Sequence, residues 1–227
     1  MSNNIKELCS EIGTLGQQMT QLGQQYDGMF KKFYDALDEM VKQNPDLSQA
    51  ALQAANATDN LVGTIHDKFP NQPKYECAKG CVACCHLMVK MPPGFADLIA
   101  NYVKQHFSDE ELTKLIEDLK TTAKKEQAAN GNSDVFRNRC PMLGEDNVCR
   151  IYEVRPLTCR LFNSTSVKKC QAVAFDFDNS GVTQDAGKVR LYTIATFVLE
   201  QQAKALGLEG EQELLSTGVL KALEKLD

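Results

Sequence analysis

Eight of the nine cysteines of this 227-residue chain fall in one central stretch. They are Cys77, Cys81, Cys84, Cys85, Cys140, Cys149, Cys159 and Cys170, whereas Cys9 stands apart. The opening residues MSNNIKELCSEIG show no charged segment followed by an apolar core, so we expect a cytoplasmic protein without an export signal. Because cytoplasmic thiols stay reduced, such a set of cysteines is typical of metal binding rather than of a disulfide framework.

Thiolate sulfurs are soft ligands that suit zinc and iron–sulfur clusters. The spacing Cys77-x3-Cys81-x2-Cys84-Cys85 brings several sulfurs onto one short loop, and the later cysteines supply the rest. Zinc and a 4Fe–4S cluster each need four ligands, so eight cysteines allow two sites, or one site with spare thiols. Adjacent Cys84 and Cys85 are awkward joint ligands of one small ion, which favours an iron–sulfur cluster over zinc. All eight are candidate metal ligands.

The first 70 residues carry the pattern of two helices. Apolar residues recur in alternating steps of three and four from Ile5 to Met40, which predicts one long amphipathic helix ending before Asn44-Pro45. An alanine-rich segment from Asp46 to about Phe69 predicts a second helix folded back on the first. We therefore expect residues 1–70 to form a helical hairpin arm, which is either one wall of a helical core or the surface of a homodimer.

Residues 71–227 are expected to form the cysteine-cluster domain, after a loop marked by Phe69-Pro70 and Gln72-Pro73. Ser108 and Glu111 form a capping box that predicts the start of a helix between the two cysteine groups. The run 172–178 is short and partly alternating, which predicts a strand or an extended cover, and two further helices follow. The fold class is therefore mainly α, with an irregular cysteine-rich metal-binding core packed on helices.

The charge balance argues against two classes of partner. A net charge of −5 does not fit a nucleic-acid-binding protein, which concentrates Lys and Arg to neutralise phosphates. No stretch approaches the roughly 20 apolar residues of a membrane span. The arginines that interleave with the cysteines are expected to offset thiolate charge, with Tyr152, Arg155 and Arg160 next to the metal ligands.

Two sequence blocks, CVACC and CPMLGEDNVCRIYEVRPLTCRLF, resemble the YkgJ-type cysteine-cluster family of zinc- or iron-chelating domains, named for a CxxCxxCC motif. The resemblance covers about Tyr75 to Cys170, and this chain has three residues rather than two between Cys77 and Cys81. It implies metal ligation by Cys81, Cys84, Cys85, Cys140, Cys149 and Cys159. One branch of the family, flagellin lysine N-methylase, implies an iron–sulfur cluster used together with S-adenosylmethionine.

Three functions are compatible with this sequence. The leading hypothesis is a protein that chelates an iron–sulfur cluster or zinc, with a redox or metal-handling role. The second is a cluster-dependent methyltransferase that uses S-adenosylmethionine to modify lysine in a partner protein, although no glycine-rich nucleotide-binding loop is present. The third is a structural zinc module that presents the arm to a protein partner; it predicts a colourless protein that unfolds when the metal is chelated.

Overall fold

The computed structural model describes residues 3–68, 74–178 and 180–226, with the backbone alone at positions 3, 4, 6, 7 and 9. Over these residues the fold is mainly α, as predicted, with two short strands and two single turns of 3-10 helix. The helices are α1 (Asn3–Lys42), α2 (Leu47–Lys68), α3 (Phe95–His106), α4 (Asp109–Ala128), α5 (Leu157–Leu161), α6 (Val167–Phe175), α7 (Ala186–Ala205) and α8 (Leu215–Lys225). No helix in the described ranges is long and apolar enough to cross a membrane.

The predicted hairpin of two helices is confirmed. Helix α1 ends at Lys42, two residues before Asn44-Pro45, and α2 packs back against it. The Asp46 carboxylate accepts a hydrogen bond from the backbone N–H of Ser48 at 2.9 Å, which satisfies a free donor at the start of α2. The predicted loop at 69–73 lies outside the described residues, and the division into domains at residue 70 stays a prediction.

One hydrophobic core joins the hairpin to the rest of the chain. Helix α7 packs on both α1 and α2, while α8 packs on α3 and α4. Phe95, Ile99, Leu199 and Leu223 are among the side chains that these contacts bury almost completely. Burial of apolar surface of this kind stabilises a fold by about 25 cal/mol per Å². The helices thus form a rigid frame around the cysteine-bearing segments.

The start of α4 follows the predicted capping box. The Ser108 hydroxyl accepts from the backbone N–H of Glu111, and the Glu111 carboxylate accepts from the backbone N–H of Ser108. Helix α3 begins instead at Gly94, whose φ of +89° is a left-handed conformation that favours glycine. A Cβ at Gly94 would also collide with the backbone carbonyl of Leu47, so α2 and α3 approach closely at this point.

The prediction of a strand or extended cover at residues 172–178 is wrong. Helix α6 continues to Phe175, because the Ser166 side chain accepts a hydrogen bond from the backbone N–H of Lys169 and caps a helix that begins at Val167. Helix α6 packs on the 3-10 turn Ala83–His86. The segment therefore lies against the cysteine region, as predicted, but up to Phe175 it is a helix instead of a strand.

Two strands connect the cysteine region to the helical frame. Strand β1 (Lys90–Met91) pairs antiparallel with β2 (Glu213–Leu214), with Lys90 opposite Leu214 and Met91 opposite Glu213. The Thr158 hydroxyl donates to the Lys90 carbonyl at 2.6 Å, which attaches α5 to the same strand. Helix α5, which carries Cys159, is thus held in a fixed position against β1.

Candidate metal centre

Backbone hydrogen bonds bring the two cysteine blocks together. Cys84 and Cys85 lie in the 3-10 turn Ala83–His86. The backbone N–H of Cys140 donates to the Cys85 carbonyl at 2.7 Å, and that of Asn138 donates to the His86 carbonyl at 3.1 Å. Residues 55 positions apart in the sequence are therefore neighbours by main-chain contact, independent of any bound group.

A tight turn positions Cys149 relative to Cys140. The backbone N–H of Gly144 donates to the Val148 carbonyl, and that of Arg150 to the Met142 carbonyl, each at 2.9 Å. Leu143 and Cys149 form an isolated antiparallel bridge in this turn. Its geometry returns the chain on itself, so that Cys140 and Cys149 face the same space.

Five of the eight candidate thiols line one cavity of about 380 Å³. These five are Cys84, Cys85, Cys140, Cys149 and Cys159. Apolar side chains form much of the remaining wall, including Leu87, Met88, Val89, Phe162 and Leu215. The cysteines belong to three separate segments of the chain, and the fold brings them to a single lined space. Sequence spacing indicated the thiols but gave no signal for the apolar wall.

The other three candidates, Cys77, Cys81 and Cys170, are not among the residues that line this cavity. Cys77 accepts a hydrogen bond from the backbone N–H of Ser164 at 3.2 Å, and Cys170 is buried against Ala83. Burial raises the pKa of the Cys77 thiol, and the neighbouring Cys170, Cys81 and Cys84 sulfurs raise it further. The eight cysteines thus divide into five around the cavity and a second group of Cys77, Cys81 and Cys170. All eight are free thiols.

Four of the cavity thiols, Cys84, Cys140, Cys149 and Cys159, have raised pKa values, which favours their neutral forms. Burial raises the pKa of Cys140 to about 12, and it also raises the pKa of Cys149 and Cys159. The pKa of Cys84 is raised first by its hydrogen bond with Cys85 and then by burial. Metal binding requires thiolates, so a metal that binds here must displace protons.

Arg155 is the guanidinium that faces these thiols. It favours the thiolate forms of Cys84, Cys149 and Cys159 by its positive charge, although burial outweighs it. Its Nε is buried and has no hydrogen-bond partner among the described residues. An unpaired buried donor beside several sulfurs fits an anionic group in the cavity, because an orphaned donor is otherwise destabilising.

The expectation that Arg160 also lies next to the thiolates is wrong. Its Nη1 donates to the Asp59 carboxylate at 2.6 Å, and its Nε and Nη2 donate to the backbone carbonyls of Arg155 and Glu153. Arg160 therefore ties α5 to α2 instead of touching sulfur. Tyr152 is exposed and lies under Arg155, with the guanidinium carbon 4.2 Å from the ring centroid.

His86, which directly follows Cys85, is engaged elsewhere. Its Nδ1 lies 3.0 Å from the Val82 carbonyl oxygen, and its ring packs edge-on against Phe175 at 5.0 Å between centroids. This arrangement gives His86 a local structural role in the turn.

The cavity thiols surround a space rather than converge on a point. No three His, Cys, Asp or Glu side chains in the described parts of the chain are close enough to hold one metal ion. Tetrahedral zinc, with Zn–S bonds of about 2.3 Å, needs its sulfurs about 3.8 Å from one another. The ligands of a polynuclear cluster bind at its periphery and lie further from one another than those of a single zinc ion.

Comparison with protein families gives one match. Residues 76–179, a little under half of the chain, match the family CxxCxxCC, putative zinc- or iron-chelating domain. A search of curated proteins and a search of solved structures each give no match. The matched range contains every cysteine that lines the cavity, together with the second group. The cysteine-bearing part of this chain is therefore similar to the CxxCxxCC domain, a description that includes zinc or iron chelation.

Proposed function

We propose that this protein binds an iron–sulfur cluster in the cysteine-lined cavity and serves in electron transfer or metal handling in the cytoplasm. The observation that carries the proposal is the convergence of five thiols from three segments on one cavity of about 380 Å³. The family match supports chelation of zinc or iron, and the free thiols suit a reducing compartment. When bound, the cluster would supply one-electron redox chemistry.

Four of the five thiols are the best candidate ligands: Cys84, Cys140, Cys149 and Cys159. Burial is the main cause of the raised pKa of each of the other three, and the sulfur of Cys84 is among the groups that raise each pKa further, as expected if it is close to all of them. Cys85 forms a hydrogen bond with Cys84 and presents its backbone carbonyl to Cys140. We assign Cys85 a supporting role beside the cluster.

Arg155 would balance part of the negative charge of this set. A cluster held by four thiolates is anionic, and a buried guanidinium N–H without a partner in the described part of the chain could donate to a cluster sulfur. The apolar wall formed by residues such as Leu87, Val89 and Leu215 would exclude water from the same space. Both features influence the redox potential of a cluster.

Iron content of single Cys→Ser variants tests the ligand set. We expect substitution of Cys84, Cys140, Cys149 or Cys159 to abolish iron and sulfide retention, and Cys85→Ser and Cys9→Ser to retain it. Circular dichroism should show that each variant keeps its helix content. Full iron retention by any of the first four variants would exclude that residue as a ligand.

The S-adenosylmethionine-dependent methyltransferase is a second candidate, and the size of the cavity favours keeping it. A volume of about 380 Å³ falls in the range of roughly 300–1,000 Å³ that small-molecule sites occupy, and much of its wall is apolar. Calorimetric titration of S-adenosylmethionine into the anaerobically purified protein tests it, since the electron-transfer proposal expects no binding. The structural zinc module is tested by the metal content of the purified protein, since it predicts zinc without iron or sulfide.

A further inference from the structure

Helix α1 carries two apolar faces, and the fold buries only one of them. Phe30, Leu37 and Val41 are 0–2% exposed and face the core formed with α2 and α7. The second face is the seam of apolar residues that recur in steps of three and four from Ile5 to Met40. This seam passes through Met29 and Ala36 and is offset from the buried face by one residue, which is about 100° around a helix. In the second half of α1 the seam residues Phe33 and Met40 pack partly against the core, whereas the seam before Tyr26 is left available for another contact.

The seam is most exposed in the first half of α1. Its six side chains there are 47–66% exposed, and they are Ile5, Leu8, Ile12, Leu15, Met19 and Leu22. At Tyr26 the helix reaches the rest of the protein, where the ring packs edge-on against Phe30 and the hydroxyl lies beside Gly187. The part of α1 before Tyr26 thus presents a continuous apolar stripe to solvent.

The apolar stripe is as narrow as the contact face of a helix in a coiled coil. Its apolar residues occupy only the a and d positions of a heptad repeat, whereas a helix that packs on a globular core usually has a wider apolar face. The a positions are Ile5, Ile12 and Met19, and the d positions are Leu8, Leu15 and Leu22. No polar residue interrupts either set.

The residue types at the heptad positions indicate which kind of helix would pack on the seam. Isoleucine at two of the three a positions, Ile5 and Ile12, together with leucine at the d positions, favours two strands in a parallel coiled coil. The e positions next to the seam are Cys9, Gly16 and Gly23, and the g positions include Glu11, Gln18 and Gln25. In a parallel pair each g residue meets the e residue five positions further along the other helix, so Glu11 meets a glycine. Two identical seams therefore meet without like-charge repulsion, and no pattern of e and g charges selects a different partner.

We propose that residues 5–26 form a parallel, two-stranded coiled coil with the same segment of a second copy of this chain. The contact spans about 33 Å at 1.5 Å per residue. It leaves the Phe30 face in its present packing and brings the two cysteine-cluster domains to the same end of the coiled coil. The proposal concerns assembly and does not depend on which metal the cavity binds.

Sedimentation of the full-length protein over a range of concentrations tests this assignment. We expect the wild type to be a dimer and Leu15→Asp to be a monomer over the same range. Gln17→Asp, which introduces the same charge at the outward f position, should remain dimeric. A monomeric wild type would overturn the proposal, and so would a Leu15→Asp dimer as tight as the wild type.

The strand direction is tested by charges placed across the interface. In a parallel coiled coil Gln18→Glu lies opposite Gly23→Lys of the other chain. The double variant should then dimerise about threefold more tightly than the two single variants predict together, as expected for two exposed ion pairs. An antiparallel pair would bring like charges together and reverse the sign of this coupling, which would overturn the parallel arrangement.

Discussion

The Arg160 guanidinium and the Asp59 carboxylate form an ion pair, with 2.6 Å between Nη1 and Oδ2, that joins residues 101 positions apart. Arg160 is almost fully buried, whereas the Asp59 side chain is 37% exposed. Asp59 also accepts a hydrogen bond from the Tyr192 hydroxyl. One carboxylate on α2 thus holds both α7 and the helix that carries Cys159, so the helical hairpin and the cysteine cavity are mechanically connected.

Removal of that carboxylate should destabilise the fold. We expect Asp59→Ala to lower the free energy of unfolding by about 2–3 kcal/mol, because it leaves the buried Arg160 without its charged partner. Urea denaturation of the metal-free protein measures this change. Asp35→Ala is the matched control, since its i,i+4 pair with exposed Lys31 should contribute about 0.3–0.5 kcal/mol. Equal losses of unfolding free energy in the two variants would contradict the assignment of Asp59 as the charged partner of the buried Arg160.

We expect substitution by alanine to destabilise the fold far more at Gly94 than at another glycine with positive φ. Gly94→Ala places a Cβ against the Leu47 carbonyl in addition to the cost of the left-handed backbone, which is about 1–2 kcal/mol. Gly131→Ala, at a φ of +74° with open space around it, isolates the backbone cost. Thermal unfolding of the two variants should show the larger loss for Gly94→Ala; an equal loss would show that α2 and α3 can separate without penalty.

The metal-free protein should lose stability in alkali because of its buried thiols. The folded pKa of Cys140, about 12, lies above the unfolded value of about 8.5. The thiol therefore binds more protons in the folded than in the unfolded state between these values, and its contribution falls by about 1.4 kcal/mol per pH unit as pH rises through this window. Below about pH 8 the contribution is constant, since the thiol is protonated in both states.

Urea denaturation from pH 7 to pH 10 measures this loss. The wild type should lose stability more steeply above about pH 8.5 than Cys140→Ala, in which the titrating thiol is absent. Parallel curves for the two proteins would contradict the burial of Cys140 as a neutral thiol.

Arg155 should matter for the bound group more than for the fold. Arg155→Met removes a buried N–H donor that has no partner among the residues that the structure describes, so the metal-free protein should change little in stability. Loss of charge balance at the cluster should weaken metal retention about tenfold or more, in line with other residues that surround metal ligands. Iron release to a chelator measures the retention. Arg190→Met, which removes an exposed ion pair with Asp27, is the control and should leave it unchanged.

Local signals allowed much of the helical fold to be predicted from the sequence. Proline after Lys42 and the Ser108 capping box act within a few residues, so the helix boundaries near them were correct. The prediction of a strand at residues 172–178 fails because the cap at Ser166 starts a helix that continues through the short alternating run to Phe175. The ion pair between Arg160 and Asp59 could not be predicted, because two residues 101 positions apart share no local sequence pattern. The grouping of the thiols into five and three likewise depends on where α5 and α6 pack.

Iron and acid-labile sulfide content, with a visible spectrum, tests the central claim most directly. The measurement uses protein purified without oxygen and then reconstituted with iron and sulfide. We expect a brown protein whose iron and sulfide disappear together in the Cys140→Ser variant. Colourless protein that holds zinc alone would contradict the cluster and favour the structural zinc module. Protein that holds neither iron nor zinc, either as purified or after reconstitution, would contradict the metal centre itself.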